Sequence, residues 1–246
     1  MKYFDTFFEH SLEKMETVRT SQKEEILKAA DLMCTCMQNG GIVQLAGVGH
    51  GIAFGMELGY RAGGLMPFHR FNKPDLAMRG VLKESDLDPA VFNPDRSNAQ
   101  RWYDLYPIDP NDMFIISSYT GCEPVMCELA KIVKEKGFRL IAVVSRKALA
   151  KAKETSDIDS IDTYADLVID TCTDVPDEAV DFDGTHGVGE INTIMSNMIA
   201  QMITAECYAW YKRRDIPCPV LLSVNVKGAD AHNRAISDHY AGRWNA

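Results

Sequence analysis

The chain has 246 residues, 46% of them hydrophobic, enough for one α/β domain with a sizeable core. A formal charge of −9 argues against a nucleic-acid surface, which needs clustered Lys and Arg, and no apolar run approaches the roughly 20 residues of a membrane span. Seven cysteines in no regular framework suit a reduced cytoplasm and read as small core hydrophobes; residues 1–16 mix aromatic and charged side chains without the apolar stretch of a signal peptide.

Phe4, Phe7, Phe8, Leu12, Met15 and Val18 fall at helical spacing, and this aromatic leading helix is expected to meet a second subunit. Ser21 and Glu24 form a capping-box pattern that opens a second helix, with Ile26, Ala29, Ala30, Met33 and Met37 on one face and Asn39-Gly40-Gly41 at its end. Ile42 to Ala46 reads as a buried parallel strand. Gly47-Val48-Gly49-His50-Gly51 follows, a loop of little bulk, and then a helix over Ile52 to Arg61 that aims its free N–H groups at the loop's contents. A dinucleotide fingerprint is not met, because Ile52 stands where its third glycine belongs, and no Gly-Lys-Ser or Gly-Lys-Thr follows for a Walker loop.

Leu65 to Phe71 predicts a second strand, and Asn72 to Asn111, carrying Pro74, Pro89, Pro94, Pro107 and Pro110, an excursion of short helices that covers the site. Met113 to Ser117 is another buried strand, leading through Ser118-Tyr119-Thr120-Gly121 into a helix from Pro124 to Lys136, capped by Gly137. Arg139 to Ser145 and Leu167 to Thr171 are further strands, with a short helix over Lys147 to Glu154 between them. This alternation predicts a parallel, doubly wound sheet, with the ligand at the carboxyl ends of the strands near the switch in strand order. Asp181 to Asn192 reads as a second glycine-rich loop, and Glu190 to Arg213 as a helix apolar on most faces and therefore buried. Pro217 and Pro219 open an extended tail through His232 to Trp244. The expected organisation is a single domain: a helical extension over residues 1–38, an αβα core over 39–213 and a tail over 214–246.

Three strand ends offer small or hydroxyl-bearing residues. Ser117, Ser118, Thr120 and Gly121 can converge hydroxyl and backbone donors on one phosphate, with Ser145 extending the same pocket; the alternative is a cluster of ordinary helix caps. Gly47, Gly49 and Gly51 make room for a ligand body. Glu57 is the first candidate for a catalytic base, on a strip with His50, Phe54 and Arg61; an i,i+4 surface pair with Arg61 is the competing reading. His50 would polarise a carbonyl or merely cap the helix. Glu190, catalytic, and His186, ligand-binding, are next in rank, and His232 could reach a neighbouring subunit's site. His50, His69, His186, His232 and His239 lack i,i+4 pairing, so no metal is expected, nor any cofactor.

Gly47-Val48-Gly49-His50, Tyr60-Arg61-Ala62-Gly63-Gly64, Ser118-Tyr119-Thr120-Gly121 and the stretch Asn225 to Asn233 together resemble the SIS (sugar isomerase) domain family, and within it the single-domain bacterial members, over almost the whole chain. The resemblance implies a flavodoxin-like three-layer αβα sandwich, a phosphorylated sugar as ligand, and a homodimer or homotetramer with shared sites. In phosphoheptose isomerases, which the Glu57-Leu58 segment resembles, a glutamate on a similar helix is the proton-transfer base, which implies that role for Glu57. Two departures stand out: Gly51 where relatives place Ser, and Ser-Tyr-Thr-Gly where they usually carry Ser-Asn-Ser-Gly. The expected activity is cytoplasmic aldose–ketose isomerisation of a sugar phosphate through an enediol, with Glu57 or else Glu190 moving the proton. The alternatives are a lyase or etherase acting on an amino-sugar phosphate, and a sugar-phosphate sensor without turnover.

Overall fold

Side-chain alternation in the central strands decides the layering. In the computed structural model, which describes residues 2–59, 61–155, 159–241 and 243, Val43–Gly47 (β1), Phe68–Arg70 (β2), Met113–Ser117 (β3), Arg139–Val144 (β4) and Leu167–Asp170 (β5) form one parallel sheet in the order β2-β1-β3-β4-β5. Val43, Leu45, Met113, Ile115, Ile141 and Val143 point to one face, and Phe114, Ile116, Leu140, Ala142 and Val144 to the other. Both faces are covered, which is why these strands read as unbroken apolar runs.

Tyr3–Ser21 (α1), Lys23–Gln38 (α2), Gly51–Leu58 (α3) and the 22-residue helix Asn192–Arg213 lie on the first side. Lys73–Met78 (α4), Pro89–Phe92 (α5), Ser97–Tyr103 (α6), Pro124–Glu135 (α7) and Arg146–Thr155 (α8) lie on the second, the long helix being α9 and Ala229–His239 α10. The result is the three-layer αβα sandwich. The proline-rich excursion is part of this second layer: Leu76, Phe92 and Trp102 are fully buried, so it fills the core instead of roofing the site.

Several local expectations are corrected. No capping box forms at Ser21, because α1 runs on through it, and its hydroxyl contacts Cys172 Sγ at 3.4 Å instead. α3 stops at Leu58, where Gly59 turns extended, and the second strand shrinks to Phe68–Arg70 because Gly63–Met66 pairs instead with Pro219–Leu221. The second glycine-rich loop is a β-hairpin of Glu178–Asp181 (β6) and Gly187–Glu190 (β7), so α9 begins two residues beyond Glu190. The tail holds α10, fastened by Asn233, whose amide bonds both the N–H and the carbonyl of Leu222. Only one strip of α9, through Met195, Ile199, Ile203, Cys207 and Tyr211, is buried; Ile194, Met198 and Met202 are half-buried. Tyr60 and Trp244, from the motif and the tail, lie outside the described residues. Among those residues no helix is long and apolar enough to cross a membrane.

Candidate functional site

In a 2-1-3-4-5 sheet the order reverses between β1 and β3, so the crevice beyond their carboxyl ends is the topological place for a ligand. The two loops leaving those ends are Gly47–His50 and Ser118–Gly121. They are locked together by a missing side chain: a Cβ on Gly51 would sit 2.1 Å from the carbonyl oxygen of Ser117. The glycine at this position, where relatives were expected to carry Ser, is therefore required by the close approach of α3 to β3.

The first wall is His50. It makes no cap bond within α3; its Nδ1 lies 3.0 Å from Thr193 Oγ1 and 3.5 Å from Glu190 Oε2. Glu190 in turn accepts the backbone N–H of Thr193 at 2.7 Å, so the carboxylate is anchored at the start of α9. A residue absent from the sequence expectations completes the group. Asp177 precedes β6, its carbonyl accepts from the Ile191 N–H at 3.1 Å, and its carboxyl hydrogen-bonds Glu190. Burial, and then the contact with Glu190 and its charge, push the Asp177 carboxyl up to about 6. A carboxyl held protonated up to about pH 6 can give and take a proton near neutral pH.

The second wall is the β3–α7 loop. Ser118 Oγ accepts the Gly121 N–H at 2.8 Å and donates to Glu123; Thr120 Oγ1 donates to Glu123 at 3.0 Å and accepts the Cys122 N–H at 3.3 Å. Gly121 holds φ at +68°, a value that disfavours any side chain. Tyr119 extends over the crevice, its hydroxyl donating to the Asp174 carbonyl at 2.6 Å. Burial, joined by the charges of Asp177, Glu178, Asp174 and Glu190, keeps that phenol protonated.

The remaining predicted residues are dispersed. Ser117 and Ser145 are buried, and Ser145 Oγ donates to the Thr173 carbonyl at 2.9 Å and accepts the Ala148 N–H at 3.2 Å, so it caps α8 and does not line the crevice. Glu57 is six residues along α3, about 9 Å down the helix from Gly51, on the seam with α9, where it accepts from Gln201 and pairs with Arg61 at 3.3 Å. The strip it was expected to share with His50 is interrupted by Phe54, which is buried. His186 sits in the hairpin turn, bonded to Asp183 at 2.8 Å. His232 Nε2 bonds the Val220 carbonyl at 2.9 Å, at the other end of the molecule, beside a cleft of about 690 Å³ between α10 and the ends of α2 and α9. No carboxylate lines that cleft, and it lies off the carboxyl edge.

Comparison with known proteins places this geometry among relatives. Residues 6–145 match the family model of the SIS domain. A UPF0309 protein of Geobacillus kaustophilus is 33% identical over 254 residues, covering 98% of this chain and 94% of its own length. A UPF0309 protein of Listeria monocytogenes is 30% identical over 240 residues, with 97% of each covered. Among solved structures, a phosphoheptose isomerase of Francisella tularensis matches with a TM-score of 0.56 at 14% identity, over 84% of this chain and 97% of that one. The Vibrio vulnificus NanR protein, complexed with ManNAc-6P, matches with a TM-score of 0.54 at 7% identity, over 97% and 69%. At such identities these two likenesses concern the fold.

Proposed function

The chain belongs to the SIS domain family, and from that membership we propose that it binds a phosphorylated sugar beyond the carboxyl ends of β1 and β3 and interconverts an aldose and a ketose phosphate. The observation that carries this reading is the convergence of His50, Glu190 and Asp177 at the switch in strand order. In it, Glu190 removes the proton from the carbon beside the carbonyl, leaving an enediol, and returns it to the neighbouring carbon. His50 and the protonated Asp177 move the proton at oxygen. Ser118, Thr120 and the backbone of Gly121 hold the phosphate, and Gly47 and Gly49 leave space for the sugar. Glu190 thereby takes the role that resemblance assigns first to Glu57, because Glu57 is engaged on the α3–α9 seam.

A cytoplasmic homodimer or homotetramer is part of the same proposal. Phe4 and Phe8 on α1 are 75% and 54% exposed, Phe182 and Val188 on the hairpin and Ile52 and Met56 on α3 are exposed too, and a second copy would cover such side chains.

The test is a panel of pentose, hexose and heptose phosphates followed by product analysis in deuterated water, where an enediol route places solvent deuterium on the product. Glu190→Gln should lower turnover by about 10² to 10⁴ with KM nearly unchanged. Wild-type protein that turns over no phosphosugar, or a Glu190→Gln variant with full activity, would sink the assignment. Cleavage products would identify a lyase, and stabilisation without any product a sensor.

A further inference from the structure

The phosphate-holding loop already contains an anion. Both hydroxyl protons of the loop, from Ser118 and Thr120, go to the carboxylate of Glu123, and the N–H groups of Gly121 and Cys122 are spent on the two hydroxyl oxygens. Glu123 stands at the N-cap position of the 12-residue α7, yet its side chain caps none of that helix's N–H groups. It reaches back instead to the hydroxyls of Ser118 and Thr120.

Among the described residues no ion pair includes Glu123: Lys14 and Lys147 both pair with Asp174, and Lys153 with Asp162 at 3.2 Å, while Arg146, at the start of α8, is exposed and takes part in no ion pair. Asp174, Glu178 and Glu190 add negative charge around Tyr119, in the middle of the loop. A phosphate entering here would find both the Ser118 and Thr120 hydroxyls and the Gly121 and Cys122 N–H groups engaged, and would meet a like charge.

We infer that Glu123 is the residue that sets this loop's preference between phosphorylated and unphosphorylated ligands: its carboxylate occupies the anion seat, and a sugar phosphate binds by displacing it. The inference rests on the sugar-phosphate reading of the same site. Displacement is sterically open, because Glu123 is half-buried and its backbone, at φ −64° and ψ 127°, is extended outside the helix. Removing the charge while keeping the side chain's shape therefore favours anions selectively. A sugar without phosphate gains nothing from the change.

The experiment is isothermal titration of the full-length protein and its Glu123→Gln variant with inorganic phosphate, ribose 5-phosphate and fructose 6-phosphate, and with ribose and fructose. Glu123→Gln should tighten the phosphorylated ligands and phosphate by about tenfold or more, with the plain sugars unchanged. Adding Ser118→Ala should remove the gain, which locates it in this loop. If Glu123→Gln fails to fold, Glu123→Ala carries the same expectation. Wild-type protein that binds sugar phosphates, with unchanged or weaker binding in the charge-neutral variants, would overturn the role of Glu123 and leave the sugar-phosphate reading standing. Failure of wild-type and variant proteins alike to bind any phosphorylated ligand would overturn both.

Discussion

Two clusters of histidine and carboxylate sit at opposite ends of the same sheet, and they are built for opposite ends. At the amino edge, His69 Nδ1 meets Gln44 Oε1 at 2.8 Å, Gln44 donates to Asp112 at 2.9 Å, and Asp112 also accepts the Ile42 N–H and the Arg243 guanidinium. His69, Gln44 and Asp112 are all buried. Since the Gln44 amide donates to Asp112, its oxygen accepts, and His69 carries its proton on Nδ1. At the carboxyl edge His50, Glu190 and Asp177 use similar groups with solvent beside them; the His50 side chain is 61% exposed. The difference teaches that a histidine–acid contact alone does not mark a site. A closed network with its polar groups engaged holds strands in register, whereas one open to solvent can exchange protons with a ligand.

Breaking the amino-edge cluster should cost stability without touching chemistry. Asp112→Ala strands Gln44 and the Ile42 N–H and leaves Arg243 with Asp109 at 3.8 Å, and should lower the unfolding free energy by about 3 to 5 kcal/mol in urea denaturation. Ligand affinity of the remaining folded protein should stay at the wild-type value. A loss under 1 kcal/mol would show that the network is not a structural anchor.

The two edges also answer acid with opposite signs. Burial pushes His69 down to about 4, so as pH falls from about 6.5 to 4 the unfolded chain takes up a proton that the native state refuses. That lowers stability by up to about 3 kcal/mol over this window, and His69→Gln should flatten it. Asp177 behaves in reverse: with its carboxyl raised to about 6, its contribution is present below about pH 4 and lost as pH rises through 6. Asp177→Asn should therefore be more stable than wild type by about 1 kcal/mol above pH 7, a figure reduced for solvent screening, and equal to it below pH 4. Denaturation across pH checks both, and a pH-independent difference for Asp177→Asn would mean that no proton is shared with Glu190.

The smallest effect is expected between the edges. Glu57→Gln should change turnover by less than about threefold, since a half-buried i,i+4 pair with Arg61 contributes only a few tenths of a kcal/mol. A hundredfold loss would instead move the proton-transfer role back to Glu57.

The sheet was legible because strands buried on two faces leave unbroken apolar runs, and β1, β3, β4 and β5 fall within a residue of where those runs lie. The β6–β7 hairpin was readable in principle, since Asp183-Gly184 is a turn signal between Ala-Val and Gly-Val segments, but the glycines of Gly187-Val188-Gly189 imitate a ligand loop. α10 was hidden by a scarcity of apolar side chains. Asp177 could not be found from spacing: it meets Glu190 only through the pairing of Glu178 with Glu190 across the hairpin. Glu123 was concealed by its setting, an acid before a proline at a helix start, which reads as a cap. In both cases the functional proposal depends on where a carboxylate turns, and no periodicity records that.

The hairpin also divides the crevice mechanically. Two of its walls share one frame, because β1 and β3 are paired strands and Gly51 is seated against Ser117 without room for a methyl group. Glu190, which meets His50, belongs instead to a separate two-stranded ribbon leaning on α1, where the Phe7 ring fills the place of a side chain at Gly189. The crevice thus has one side built into the sheet and another carried between the ribbon and the start of α9. A subunit packed on α1 would touch the element that carries Glu190 without entering the crevice.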